Sequence, residues 1–192
     1  MNETIIANNC IGGNMLHDLG LRFNSPTINL QILPREYIKF CQNLRHYMET
    51  EIVEYKELSD LHKYDLINMF NHVPKGEFPY GLCDDILIVF QHYGTFAEGK
   101  AAWDRRKERI DYNHIGYMFY IAWEYDKNKA QKFYDLGLKN TVIFTEGFDV
   151  NVPHYRTDPI FGATYLDIAA NGRKYYAQEF SPEKYIENIR HG

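Results

Sequence analysis

Residues 86–110 read Ile86-Leu87-Ile88-Val89-Phe90-Gln91-His92-Tyr93-Gly94-Thr95-Phe96-Ala97-Glu98-Gly99-Lys100-Ala101-Ala102-Trp103-Asp104-Arg105-Arg106-Lys107-Glu108-Arg109-Ile110. The first five are a continuous apolar run, the pattern of a strand buried on both faces. Gly94 breaks it. Thr95 offers an N-cap, and Glu98 three residues on completes a capping box. At helical spacing Phe96, Gly99, Trp103 and Ile110 share a face, with Ala102, Arg106 and Arg109 flanking it and Arg105 further round. Trp103 is expected to be buried against the sheet. In open α/β sheets ligands bind at the carboxyl ends of strands, so His92 and Tyr93 are the catalytic candidates. The arginines have two readings. In the last turns of a helix they complement its negative end, and their planar forks also suit phosphate or carboxylate. At ~1.5 Å per residue, His92 and Arg105, Arg106 and Arg109 lie ~15–20 Å apart along the axis. The spacing therefore does not require one site.

Outward from this unit, short apolar runs alternate with helical stretches. Thr4-Ile5-Ile6-Ala7 is a strand, residues 8–14 a turn, and Met15-Leu16-His17-Asp18-Leu19 a helix stopped by Gly20. Asn8, Asn9, Cys10, Gly12 and Gly13 are candidates to hold a phosphate, since a helix N-terminus presents free N–H groups. The stretch has neither GxGxxG nor GxxxxGK with Ser or Thr, and Asn and Gly are also ordinary turn formers. Cys10 is a turn cysteine, or a thiolate favoured by the helix start. Residues 27–33 read as a second strand, with Pro34 at N1 of a helix carrying a stripe from Tyr37 to Met48. Cys41 on that stripe is a core residue. Residues 52–55 form a short strand, residues 58–70 have helical character, and Val73-Pro74-Lys75-Gly76 with Pro79 marks a loop. Asp84-Asp85 is a strand-entry turn; it holds a divalent metal only if both carboxylates turn to one side.

Residues 115–122 make an aromatic-rich strand. Asp126 caps a helix through Leu136, which Gly137 ends. Thr141-Val142-Ile143-Phe144 is another strand. Residues 148–161, with Asp149, His154, Arg156 and Asp158, form a polar loop placed to act as a lid. Asn171-Gly172 signals a hairpin, and Ser181-Pro182-Glu183 opens a last helix to Arg190. The expectation is one α/β domain over residues 1–192: three-layered and Rossmann-like, with a mainly parallel sheet and a C-terminal hairpin plus helix. Strands 4–7, 27–33, 86–90, 115–121 and 141–144 should lie in that sheet. Such a sheet brings the turn 8–13 and His92-Tyr93 to one cleft.

With 192 residues, 45% of them apolar, the chain is long enough for one substantial core. A net charge of −5 argues against a nucleic-acid partner bound through a basic face. Sixteen tyrosines supply core and polar clefts alike. Three widely spaced cysteines, Cys10, Cys41 and Cys83, without CxxC or zinc spacing, fit a reducing, cytoplasmic compartment. No signal peptide is recognised, and no apolar run reaches the ~18 residues of a spanning helix. No metal site or cofactor is assigned.

Residues 6–13, residues 18–27, and His92-Tyr93 leading to Trp103-Asp104-Arg105-Arg106-Lys107-Glu108-Arg109-Ile110 together resemble a bacterial family, the domain of unknown function numbered nineteen-nineteen. The resemblance spans roughly residues 4–150, and some members run longer. Members commonly carry the label of exopolysaccharide biosynthesis protein and sometimes that of acetyltransferase, which implies a surface-glycan setting with other polysaccharide-biosynthesis proteins as partners. Three functions follow as expectations. The first is a transferase on an activated, nucleotide- or phosphate-linked sugar, in which His92 is general base, Asn8, Asn9 and the Gly12-Gly13 backbone hold a diphosphate, and an arginine neutralises its charge. The second is acyl transfer from coenzyme A to glycans, with the same histidine. The third is a non-catalytic assembly or regulatory protein. Against a hydrolase, there is no GxSxG elbow and no cysteine with a histidine beside it in sequence.

Overall fold

The computed structural model describes residues 3–57, 78–157 and 179–192. In chain order the elements are β1 (Thr4–Ala7), α1 (Ile11–Asp18), β2 (Gln31–Ile32), α2 (Pro34–Gln42), α3 (Leu44–Glu49), β3 (Ile52–Glu54), β4 (Tyr80–Cys83), β5 (Ile86–Val89), α4 (Phe96–Lys107), β6 (Ile115–Ile121), α5 (Asn128–Tyr134), β7 (Thr141–Glu146), β8 (Tyr155–Thr157) and α6 (Pro182–His191). The strands form two sheets. One has the order β1-β6-β7-β8 with every neighbour parallel; the other has the order β2-β5-β4-β3 with every neighbour antiparallel.

The chain is therefore α/β, but strands 27–33 and 86–90 do not belong to the parallel sheet as expected. The cause is local. A parallel partner needs a crossover of about a dozen residues or more, whereas β4 and β5 are joined only by Asp84-Asp85, with Cys83 facing Ile86. Asp84 takes a φ of 54° in this turn. Its carboxylate lies 2.8 Å from His46 Nε2, while Asp85 accepts from Lys39 Nζ at 2.8 Å and from the Tyr47 hydroxyl at 2.7 Å. The hairpin tip is thus pinned to α2 and α3. Upstream, Asn29 at φ 65° breaks the strand expected over 27–33, leaving only Gln31–Ile32. The Thr27 hydroxyl instead accepts from the Ala7 N–H at 3.1 Å, covering the outer edge of β1.

All seven residues of β6 are buried. Met118 and Tyr120 face α1 and α6, packing with Ile11, Met15, Leu16, Tyr185 and Ile189. Tyr117, Phe119 and Ile121 face the other way. There Tyr37, Phe40 and Phe133 from the helices join Ile86, Ile88 and Phe90 from the antiparallel sheet and Trp103 from α4. The two sheets thus share one apolar cluster. Leu87 and Val89 turn to a smaller cluster with Leu33 and Tyr80, so the run at 86–90 is buried on both faces, as its unbroken apolarity implied.

Two glycines set how closely helices approach. A Cβ on Gly12 would lie 3.0 Å from Ala7 Cβ and from Ile5 Cγ2; one on Gly99 would lie 2.3 Å from Phe90 Cδ1. The capping box of α4 is complete, with Glu98 N–H donating to Thr95 Oγ1 at 3.2 Å and Thr95 N–H to Glu98 Oε2 at 3.1 Å. Ser181 caps α6 through Lys184 N–H at 3.3 Å. The cap expected of Asp126 is absent. Lys127 occupies the N-cap of α5, and Asp126 is buried with its carboxylate on Lys129. Gly137, at φ 62°, ends that region. Part of the expected lid, Tyr155–Thr157, is instead the fourth parallel strand. Asp158, the Asn171-Gly172 hairpin and the readings over 58–77 lie outside the described residues.

Candidate functional site

The carboxyl ends of β1, β6 and β7 share one edge of the parallel sheet, and the turn after β1 is the tightest structure there. Asn8 Nδ2 donates to Tyr120 O at 2.9 Å, and Tyr120 N–H donates to Asn8 Oδ1 at 2.8 Å. The side-chain amide thereby extends the β1–β6 ladder past its last residue pair. Asn9 Oδ1 accepts from Ile11 N–H at 3.1 Å, fixing the entry into α1. Both asparagines are buried, and both are spent on shaping the turn. Gly12 and Gly13 lie inside the first turn of α1, not in a loop before it. Gly12 is pressed against β1, and helix geometry leaves the first-turn N–H groups outside the intrahelical ladder.

Cys10 is the N-cap residue of α1. Its Sγ lies 3.1 Å from Nε2 of His92, which arrives from the loop after β5. The chain thus supplies by folding the cysteine–histidine neighbourhood that is absent from the linear sequence. Cys10 is 5% exposed, and burial pushes its thiol up to about 11. His92 is exposed, yet desolvation of its ring lowers its pKa below the usual histidine value. At neutral pH the pair is therefore a thiol against a neutral imidazole, not a thiolate–imidazolium ion pair. Either the S–H or the Nε2–H is the donor, and that choice decides which ring nitrogen carries a lone pair.

Tyr93 points the other way. Its ring meets Phe90 edge to face at 5.9 Å, and its hydroxyl donates to Ile28 O at 3.4 Å. Arg106 Nη1 donates to the Tyr93 hydroxyl at 2.7 Å and to Ile28 O at 3.1 Å. The separation expected along the helix axis is bridged by two long side chains that reach toward each other. Arg109 Nη1 donates to Phe23 O at 3.2 Å, whereas Arg105 is exposed. Arg22, within the family-like stretch 18–27 but not among the candidate site residues, joins these arginines by way of the loop after α1. At the sheet edge, Trp123 and Tyr125 stack at 6.0 Å just past β6, and the Tyr120 hydroxyl donates to Glu146 Oε2 at 2.8 Å at the end of β7. Only their position after parallel strands could have flagged them.

These features describe an α/β protein whose candidate site lies where the parallel sheet, the start of α1 and the loop after β5 meet. The chain belongs to the family described as Domain of unknown function (DUF1919), whose profile matches residues 1–183. It is 28% identical over 190 residues to an uncharacterized protein of Haemophilus influenzae, an alignment covering 91% of this chain and 80% of that relative. Among the described residues, no helix is long and apolar enough to cross a membrane.

Proposed function

We propose that this protein is a cytoplasmic transferase of surface polysaccharide biosynthesis that acts on an activated, phosphate-linked sugar. In this reading the chain is a single Rossmann-like domain, with the antiparallel sheet an added layer beside β1. The observation that carries the proposal is the 3.1 Å contact of His92 Nε2 with Cys10 Sγ at the start of α1. A general base needs a fixed orientation and a neutral form at working pH. Here the contact with Cys10 Sγ fixes the ring, and its neutral imidazole is the base. His92 takes the proton of an acceptor hydroxyl as its oxygen attacks the anomeric carbon, and the carbon–oxygen bond to the phosphate breaks with the electrons leaving on the phosphate. The turn at Asn9 and the first-turn N–H groups of Gly12 and Gly13 face the donor, where a helix N-terminus favours negative charge.

The test is a thermal-shift screen of nucleotide sugars and coenzyme A thioesters, followed by mass spectrometry of products. A nucleotide sugar should raise the melting temperature and yield a transfer product, and His92→Ala should abolish the product while keeping the fold. A shift and product with acetyl coenzyme A alone would replace glycosyl with acyl transfer. No product from any donor would favour a non-catalytic role.

A further inference from the structure

Arg22, Arg105, Arg106 and Arg109 gather where the loop after α1 passes the last turn of α4. Two of them are held rigidly: Arg106 by the Tyr93 hydroxyl and Ile28 O, Arg109 by Phe23 O. Arg22 and Arg105 are exposed. Among the described residues none of the four has a carboxylate within ion-pair distance. Of the nearby acids, Asp104 is taken by Lys100 at 2.7 Å and Lys107 at 3.8 Å, and Asp111 by His114 at 2.8 Å, while Glu108 is exposed at the end of α4. Arg109 donates to the carbonyl of Phe23, the residue after Arg22, and is shifted downward by desolvation and by the charges of Arg22, Arg105 and Arg106.

The helix dipole accounts for arginines in the last turn of α4. It does not account for Arg22, which lies on a loop and adds repulsion to three like charges. Four guanidinium groups gathered on a chain of net charge −5 concentrate positive charge at one place, which favours an anion there. Guanidinium forks match phosphate oxygens two at a time, and two forks already fixed by backbone carbonyls lose little freedom on binding.

We propose that Arg22, Arg105, Arg106 and Arg109 form a binding site for a diphosphate group, placed one residue from His92 through the Arg106–Tyr93 hydrogen bond. This gives the transferase its substrate class, a diphosphate-linked sugar. The sugar part rests on the transferase reading; the diphosphate part stands without it. The diphosphate belongs either to a soluble nucleotide or to a lipid carrier.

The experiment is calorimetric titration of the full chain with inorganic pyrophosphate and with UDP at fixed ionic strength. Wild type is compared with Arg22→Gln, with Arg22→Gln/Arg105→Gln and with His92→Ala. Both glutamine positions are exposed, so the melting temperature should not change. The double variant should bind pyrophosphate at least about tenfold more weakly, a difference of about 1.4 kcal/mol, and His92→Ala should bind it as wild type does. Equal affinity in wild type and the double variant, or no binding to wild type at millimolar pyrophosphate, would overturn the site. Arginine-dependent binding of pyrophosphate with no donor turned over keeps the site and removes the transferase reading. Arginine-dependent sedimentation with phosphatidylcholine vesicles doped with phosphatidate, in the absence of UDP binding, assigns the phosphate to a lipid.

Discussion

Cys10 Sγ and His92 Nε2 lie 3.1 Å apart although 82 residues separate them in the chain. One comes from the first strand–helix turn of the parallel sheet, the other from the loop leaving the antiparallel sheet, so the contact joins the two sheets at the candidate site. Burial keeps the sulfur protonated, with a pKa of about 11. Alkylation by iodoacetamide should therefore be slow at neutral pH and should climb with pH toward about 11, since only the thiolate reacts. Cys83, pushed up to about 12 by burial, and Cys41, pushed higher still, serve as internal controls in the same peptide map. Fast labelling of Cys10 near pH 7 would mean that His92 holds a thiolate and that the sulfur is a nucleophile.

His92 carries a second pH signature. Its folded pKa is lowered by desolvation, so the unfolded chain takes up this proton more readily than the folded one. Stability from this group is present above the ordinary histidine value of about 6.5 and declines as pH falls through it toward the folded pKa. His92→Gln should flatten that part of the melting-temperature profile. An identical acid-side slope in wild type and variant would show that the ring is as well solvated folded as unfolded.

Gly12 separates packing from phosphate cradling. Its missing Cβ is where Ala7 and Ile5 already sit, 3.0 Å away. Gly12→Ala should therefore destabilise by about 1–3 kcal/mol in chemical denaturation, the usual cost of overpacking, even with no ligand present. A variant of unchanged stability would return Gly12 to the role of a backbone donor alone.

The fold was legible where the signal was local. The apolar run at 86–90, the capping box at Thr95 and Glu98, the stop at Gly137 and the start at Ser181 each depend on neighbours within a few residues, and each is present. Strand partnership is not local. Nothing in Ile86–Val89 itself distinguishes a parallel neighbour from an antiparallel one; the two-residue link Asp84-Asp85 does, once Tyr80–Cys83 is read as a strand despite Gly81. The site was legible in part for the same reason. Residues after strand ends can be named from sequence, but the meeting of Cys10 with His92, the use of the Asn8 amide by Tyr120 and the addition of Arg22 to the α4 arginines are long-range events.

Trp103 shows what a legible residue contributes. It is fully buried, with Phe40 of α2 at 6.1 Å between ring centroids. It couples α4 to the cluster shared by both sheets. Trp103→Ala should cost ~3–5 kcal/mol, as large-to-small core changes do, with urea denaturation as the measurement. Because α4 carries Arg106, the loosened helix should also weaken pyrophosphate binding; an unchanged affinity would show that the cluster is held by the loop after α1 alone.

The last prediction concerns the ion pair that ties the final helix to the first strand. The Glu3 side chain is 5% exposed and meets Arg190 of α6, which is 35% exposed. Burial by itself raises the Glu3 pKa, but the hydrogen bond and charge of Arg190, together with a backbone hydrogen bond, outweigh it and hold the carboxyl below its ordinary value. The stability it provides is fully present above the unfolded glutamate value of about 4.3 and is lost as pH falls through the lower folded value. Arg190→Met should destabilise at neutral pH, by less than breaking a fully buried pair would, because the guanidinium is partly in water. It should also reverse the slope. Without Arg190, burial is the dominant influence, the Glu3 pKa rises, and the variant should gain stability relative to wild type as pH falls from about 6 toward 4. Adding Glu3→Gln should remove that gain and recover most of the neutral-pH loss, since an amide is cheaper to bury than an unpaired carboxylate. Parallel pH–stability curves for wild type and Arg190→Met would show that Glu3 draws its charge stabilisation from groups other than α6.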